Sequence, residues 1–289
     1  MNYTHFFKNN THCLKGKTIA ISGATGGIGT KLCEHLAVLS ADLIFIDRNL
    51  YKSRALGESL IKRHPNISIT YITADLENIN SVKSAVDLLL NYKIDTLILN
   101  AGAYSIPRHK CDTGLDNVFQ INFVSHYYIA KKLKPYINKV VAVGSIAHNY
   151  SKADFHDIDF STRTRSSLVY GNAKRYLMYS LYGLFNGSNA LSIVHPGITL
   201  TGITAHYPKI IFAIIKHPMK VLFMKPDKAC LSIIMGIFTH CKNREWIGPW
   251  MFDVWGMPKK KTLNTCKSDE AQAIYNIAEK IYNNIEKKL

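Results

Sequence analysis

Tyr170 and Lys174 stand four residues apart in the stretch "LVYGNAKRY". On a helix that spacing sets both side chains on one face, a turn from each other. The chemistry such a pair offers is proton transfer. A free phenol titrates near ~10, and a cation within reach favours the phenolate, so the lysine would make the tyrosine easier to ionise. For an isolated Tyr-x-x-x-Lys, an amphipathic helix with a polar stripe is the better account. The segments that would position the pair therefore decide its meaning.

Those segments have a clear rhythm. Apolar, β-branched runs at 17–22, 43–47, 67–73, 95–100, 139–145 and 190–196 alternate with stretches such as "IGTKLCEHLAVLS" and "SVKSAVDLLLNY", whose apolar residues recur at three- and four-residue steps. This pattern predicts an α/β fold, a doubly wound parallel sheet between two layers of helices. Ligands of such sheets lie beyond the carboxyl ends of the strands.

Every unusual small or polar element falls at such an end. The first run leads into "SGATGGIG", with Gly23, Thr25, Gly27, Ile28 and Gly29. Glycines there let backbone approach a pyrophosphate, and the next helix offers N–H groups and its positive dipole end. The second run ends at Asp47-Arg48. The carboxylate can accept from adenosine ribose hydroxyls and repels a 2′-phosphate, whereas the arginine attracts one. The third leads to Asp75 and Leu76, where the carboxylate meets an adenine edge or caps the next helix. The fourth ends in Asn100, Ala101 and Gly102, the fifth in Ser145, and the sixth in "HPGITLT" with Pro196, Gly197, Thr199 and Thr201. Together they predict one crevice that binds a dinucleotide, NAD by the charge of Asp47, with NADP as the alternative that Arg48 supports.

Composition narrows the classes further. The chain has 289 residues, 47% of them hydrophobic, and a formal net charge of +16. The charge is dispersed. Its densest run, "PKKK" at 258–261, reads as a solvated loop, and no nucleic-acid-binding module accompanies it. The six cysteines show no Cys-x-x-Cys spacing, and "HDID" at 156–159 reads as a polar loop, so no metal is expected. The cysteines read as reduced thiols and the N-terminus lacks the apolar core of a signal peptide, which predicts a cytoplasmic protein. The most apolar stretch, 210–224, is too short and too interrupted by lysines to span a bilayer.

These residues resemble the short-chain dehydrogenase/reductase family, in its tyrosine-dependent branch with a Rossmann-like fold. "SGATGGIG" resembles the family's Thr-Gly-x-x-x-Gly-Ile-Gly with Ser22 for threonine, and "LNAG" its Asn-Asn-Ala-Gly with Leu99 for the first asparagine. Ser145, Tyr170 and Lys174 match its catalytic serine and Tyr-x-x-x-Lys, and "PGITLT" its nicotinamide-side segment. Asn122, inside a predicted helix, fits the asparagine that completes the tetrad; the sequence alone does not single it out. Ala173 departs from the serine common before the lysine. The long interval from Ser145 to Tyr170 resembles the retinol-dehydrogenase-like subgroup, which implies a lipophilic alcohol or carbonyl substrate.

The resemblance implies that Tyr170 is the acid in carbonyl reduction and the base in alcohol oxidation. Lys174 would lower the tyrosine pKa and hold the nicotinamide ribose, Ser145 would bond the substrate oxygen, and Asn122 would place a water. It also implies a homo-oligomer. The expected layout is an extension over 1–16 and one domain over 17–289, with a helical substrate lid at 202–225 and a variable part at 242–289. The lid's lysines would touch an anionic membrane surface. A non-catalytic nucleotide sensor of the same fold stays as the alternative, disfavoured by the intact Ser145, Tyr170 and Lys174.

Overall fold

Alternation along the first strand sends Ile19 and Ile21 to one side of the sheet and Ala20 to the other. The same two-sided burial recurs along its neighbours, which is why helices cover both faces. The computed structural model describes Phe6 and residues 11–186, 188, 190–198, 224–242 and 244–288. Its strands are β1 (Thr18–Ser22), β2 (Asp42–Asp47), β3 (Ile69–Thr73), β4 (Ile94–Leu99), β5 (Ile137–Val143), β6 (Leu191–Val194), β7 (Glu245–Met251) and β8 (Trp255–Thr262). They form one sheet in the order β3-β2-β1-β4-β5-β6-β7-β8, parallel except for the antiparallel β7–β8 hairpin.

The helices are α1 (Gly27–Val38), α2 (Leu50–Arg63), α3 (Ile79–Leu89), α4, α5 (Ser166–Phe185), α6 (Pro226–Phe238) and α7 (Ser268–Lys288). Here α4 denotes Asn117–Phe119, a π-helical turn at Gln120–Val124, and Ser125–Leu133, which run on from one another. One apolar layer takes Leu32 and Leu36 of α1, Leu60 of α2 and Ile233 of α6. The other takes Val82 of α3, Phe123 of α4, Leu177 of α5 and Ile274 of α7. Each fully buried Leu or Ile contributes roughly 1.5–3 kcal/mol. Phe6 and Leu14 join the first layer, so part of the expected extension is built into the core.

The chain passes from β1 outward to β3, then returns to lay β4 on the other side of β1. The loops after β1 and β4 consequently diverge, and the crevice opens between them.

One expectation for the C-terminal part is corrected: "PKKK" lies in β8 rather than in a loop. The region from 242 onward supplies β7, β8 and α7. A strand at the sheet edge needs no continuous apolar run, and lysines there discourage pairing with another chain. Lys261 is also fixed, with Nζ 2.7 Å from Asp253 Oδ1. The segment 202–223 of the expected lid lies outside the described residues.

Candidate active site

Beyond β1 the chain turns through Gly23 at φ +72°. A Cβ there would lie 2.9 Å from Ala101 Cα, and one at Gly29 would lie 2.1 Å from the Gly23 carbonyl oxygen. Only glycine fits either place. Asn49 caps α2 and Asn78 caps α3, each by accepting a backbone N–H, but α1 begins after Gly26 with no side-chain cap. The first N–H groups of α1 and its positive dipole end thus face the loop without a side chain across them, which suits an anion. Asn78, not Asp75, is the cap of α3.

The glycine loop is braced from both neighbouring strands. Asp47 Oδ1 accepts from Thr25 Oγ1 at 3.2 Å and Thr25 N at 3.4 Å, and Oδ2 accepts from Ser53 Oγ at 3.0 Å. Burial raises the Asp47 pKa, while the hydrogen bonds from Ser53 and Thr25 act in the opposite direction. On the other side Asn100 Nδ2 donates to the carbonyls of Ser22 at 3.1 Å and Gly23 at 3.0 Å. Ser22 Oγ accepts from the N–H groups of Asn100 at 3.0 Å and Ala101 at 3.1 Å, and faces His126 Nε2 at 3.1 Å. His126 is buried, which lowers its pKa to about 3.

A cleft of about 440 Å³ results. Every cofactor-binding residue expected from Gly23 through Gly102 lines it, including Ile28, Arg48, Asp75 and Leu76. Arg48 is exposed at its edge. Lys52, which sequence reasoning missed, also lines the cleft; it lies two residues inside α2, a turn on from the strand-end motif. Ser53 was missed as well, because its bond to Asp47 exists only once α2 folds back on β2.

The remaining candidates gather behind Gly102. A Cβ on Gly102 would lie 2.8 Å from Asn122 Oδ1 and 3.8 Å from Lys174 Nζ. Asn122 is fully buried in the π turn, where Nδ2 donates to the carbonyls of Ala103 and Val118, both at 2.8 Å, and Oδ1 accepts from Ala103 N at 3.3 Å. Lys174 Nζ donates to the Val143 carbonyl at 2.8 Å and lies 5.7 Å from the centre of the Tyr170 ring. Ser145 begins the 3-10 turn Ile146–Tyr150, and its Oγ accepts from Ala147 N at 3.2 Å, which leaves its own hydrogen to donate elsewhere.

Here the electrostatics depart from the expectation. Burial dominates both groups of the pair, pushing Tyr170 up to about 12 and Lys174 down to about 7. The interaction that lowers the phenol pKa comes from the Ser145 hydroxyl. Tyr170 therefore rests protonated, as a donor.

Pro196 and Gly197 follow β6 at the same edge of the sheet, and Gly197 has φ +83°. Both are buried and lie off the cleft. Thr199 and Thr201 lie outside the described residues. In "HDID", Asp159 accepts from Asp116 N at 2.8 Å and Ser161 N at 3.2 Å, a structural role. Among the described residues no helix is long and apolar enough to cross a membrane.

The family model for short chain dehydrogenases matches residues 17–156. Retinol dehydrogenase 12 of Mus musculus is 30% identical over 205 residues, which are 66% of this chain and 64% of that protein. Polyprenol dehydrogenase of Homo sapiens is 24% identical over 240 residues, 76% of this chain and 72% of that protein. The chain thus spans a little under two thirds of the first of these relatives. Among solved structures, an uncharacterized protein from Mycobacterium paratuberculosis superposes with TM-score 0.76 at 20% identity, covering 95% of this chain and 96% of that one. A short-chain dehydrogenase from Sphingobium yanoikuyae, solved with NADPH, gives 0.58 at 18% identity, covering 91% and 93%. The family match runs through the strand–loop–helix units that build the cleft, and the same sheet recurs in these structures; over residues 17–156 the chain carries the sequence of the short-chain dehydrogenase/reductase family.

Proposed function

We propose that the protein is an NAD(P)-dependent oxidoreductase that interconverts a lipophilic alcohol and its carbonyl. The observation that carries this reading is the arrangement behind Gly102: a protonated phenol, a buried lysine and a serine hydroxyl beside a loop shaped for a dinucleotide. The uncapped start of α1 and the glycines whose Cβ positions are taken by backbone fit a pyrophosphate. When bound, the nicotinamide supplies the hydride for reduction or accepts it in oxidation.

The chain's own residues do the rest. Tyr170 gives its hydroxyl proton to the substrate oxygen in reduction and takes one back in oxidation. Ser145 donates to that oxygen, where negative charge develops. Lys174 bears on the cofactor side of Tyr170, anchored on the Val143 carbonyl. Asn122 holds the Gly102–Ala103 backbone, which walls the site.

On cofactor choice, the two groups that bear on a 2′-phosphate are not equivalent in the fold. The Asp47 oxygens are engaged by Thr25 and Ser53, whereas Arg48 and Lys52 line the cleft mouth. This favours NADPH over the NAD that the Asp47 charge alone suggests. A lipophilic substrate is supported by the names of the relatives, retinol and polyprenol dehydrogenases, and by the Ile- and Phe-rich stretch 210–224.

The test is to incubate the purified protein with NADPH or NADH and a homologous series of aldehydes and ketones, following loss of cofactor absorbance. Turnover whose kcat/KM rises with chain length is expected, gaining up to ~0.8 kcal/mol per buried methylene. Cofactor binding with no turnover across the series would favour the non-catalytic sensor instead.

A further inference from the structure

A polar chain that starts from buried groups and reaches the surface at Thr265 runs behind Ser145, and the proposed chemistry does not use it. His148 is fully buried in the turn that Ser145 begins. Its Nδ1 lies 2.6 Å from the Ser145 carbonyl oxygen and its Nε2 lies 2.7 Å from Thr265 Oγ1. A carbonyl only accepts, so Nδ1 carries the hydrogen. Burial lowers the His148 pKa to about 4, so the ring is neutral and Nε2 is bare. Nε2 must accept from the Thr265 hydroxyl. With its hydrogen committed, Thr265 Oγ1 accepts from the Tyr179 hydroxyl at 2.7 Å. The chain has one direction: Tyr179 to Thr265, Thr265 to His148, His148 to Ser145.

Arg175, the residue after Lys174, clamps both ends. It donates to the carbonyls of His148 at 3.2 Å and Thr265 at 2.8 Å, and its Nε and Nη2 pair with the two oxygens of Glu270, each at 2.7 Å. Glu270 also accepts from Ala153 N at 3.1 Å. Thr265 lies in the connector between β8 and α7, and Glu270 in the first turn of α7. Stability alone does not call for this arrangement, since replacing a buried ion pair by an apolar cluster of similar volume is often neutral or stabilising. What the chain does supply is a fixed orientation.

We propose that His148 and Thr265 are positioning residues for the Ser145 hydroxyl, and that the Arg175–Glu270 pair holds the C-terminal segment where Thr265 completes the chain. This rests on the reading of Ser145 as the donor to the substrate oxygen. The C-terminal segment, remote in sequence from the serine, then becomes part of what makes the site competent.

The experiment is a double-mutant cycle. Thr265→Val keeps the volume and removes both hydroxyl links; it is measured alone and in a Ser145→Ala background, beside Thr265→Ser. The expected result is a fall in kcat of about 10–100-fold for Thr265→Val, the range that a small misplacement of a reacting group costs. KM and the cofactor dissociation constant should stay near wild type, Thr265→Ser should recover most of the activity, and Thr265→Val should add nothing once Ser145 is alanine. A long-range ¹⁵N–¹H spectrum should show the Nδ1–H tautomer of His148 in the wild type and a mixture in Thr265→Val. An undiminished kcat, or an equal further loss in the Ser145→Ala background, would overturn the proposal. If Ser145→Ala itself leaves turnover intact, the reading of Ser145 fails first and the proposal falls with it. Should Thr265→Val not fold, Glu270→Gln enters the same cycle with the same expected outcomes.

Discussion

Lys174 and Tyr170 lie one turn apart on α5, yet the ammonium turns to the Val143 carbonyl rather than to the phenol. The lysine thereby sits on the strand side of the site. Burial is the largest cause at both groups, raising the phenol and lowering the ammonium, and the tyrosine keeps its proton.

Tyr170→Phe removes that proton and keeps the ring, including its edge contact with Tyr104 at 5.4 Å. Turnover should fall by roughly 10²–10⁴, the contribution of general acid–base catalysis, with cofactor affinity largely retained. Steady-state rates together with cofactor fluorescence titration check both halves. Activity near wild type would remove Tyr170 from the chemistry.

Arg48 is exposed at the cleft edge and Asp47 is committed to the loop. Arg48→Ala should weaken NADPH binding by about tenfold, the loss of one charge-assisted hydrogen bond, and leave NADH binding almost unchanged. Isothermal titration with both reduced cofactors measures this. A wild type that binds NADH more tightly, or a variant that loses both cofactors equally, would return the choice to Asp47.

Three buried histidines make the fold sensitive to acid. Burial lowers His126, His148 and His195 from an ordinary 6.5 to about 3, 4 and 3. Below the unfolded value the unfolded chain takes up protons that the folded chain refuses. The histidines' contribution is therefore complete above about pH 6.5 and is lost as pH falls toward about 4. Each histidine accounts for at most about 2 kcal/mol of that loss near pH 5. The lowered Lys174 works in the same sense higher up, since stability rises with pH between about 7 and the ordinary 10.5. Urea midpoints at two pH values should fall from neutral to mildly acid. His195→Phe should narrow the fall, because it removes one of these titrating rings and keeps a ring stacked on Trp246, whose centre lies 5.5 Å away. Equal midpoints at both pH values would mean these rings protonate freely in the folded protein.

What the sequence determined by itself was everything governed by near neighbours. The glycine loop, the strand-end positions of Asp47, Asn100 and Ser145, and the one-turn spacing of Tyr170 and Lys174 all follow from short periods, and the first six strands fell close to where their apolar runs predicted. The β7–β8 hairpin was not legible. Gly248 and Pro249 interrupt β7, and β8 is a lysine-rich edge strand, so neither presents the run that marks a buried strand. Only the tertiary structure decided that the Asp47 oxygens would be taken by Thr25 and Ser53, that burial would raise the Tyr170 pKa, and that His148 would meet Thr265 from 117 positions away. Local period fixes which residues share a face. Which charge is desolvated, and which donor meets which acceptor across the sheet, depends on how distant segments pack.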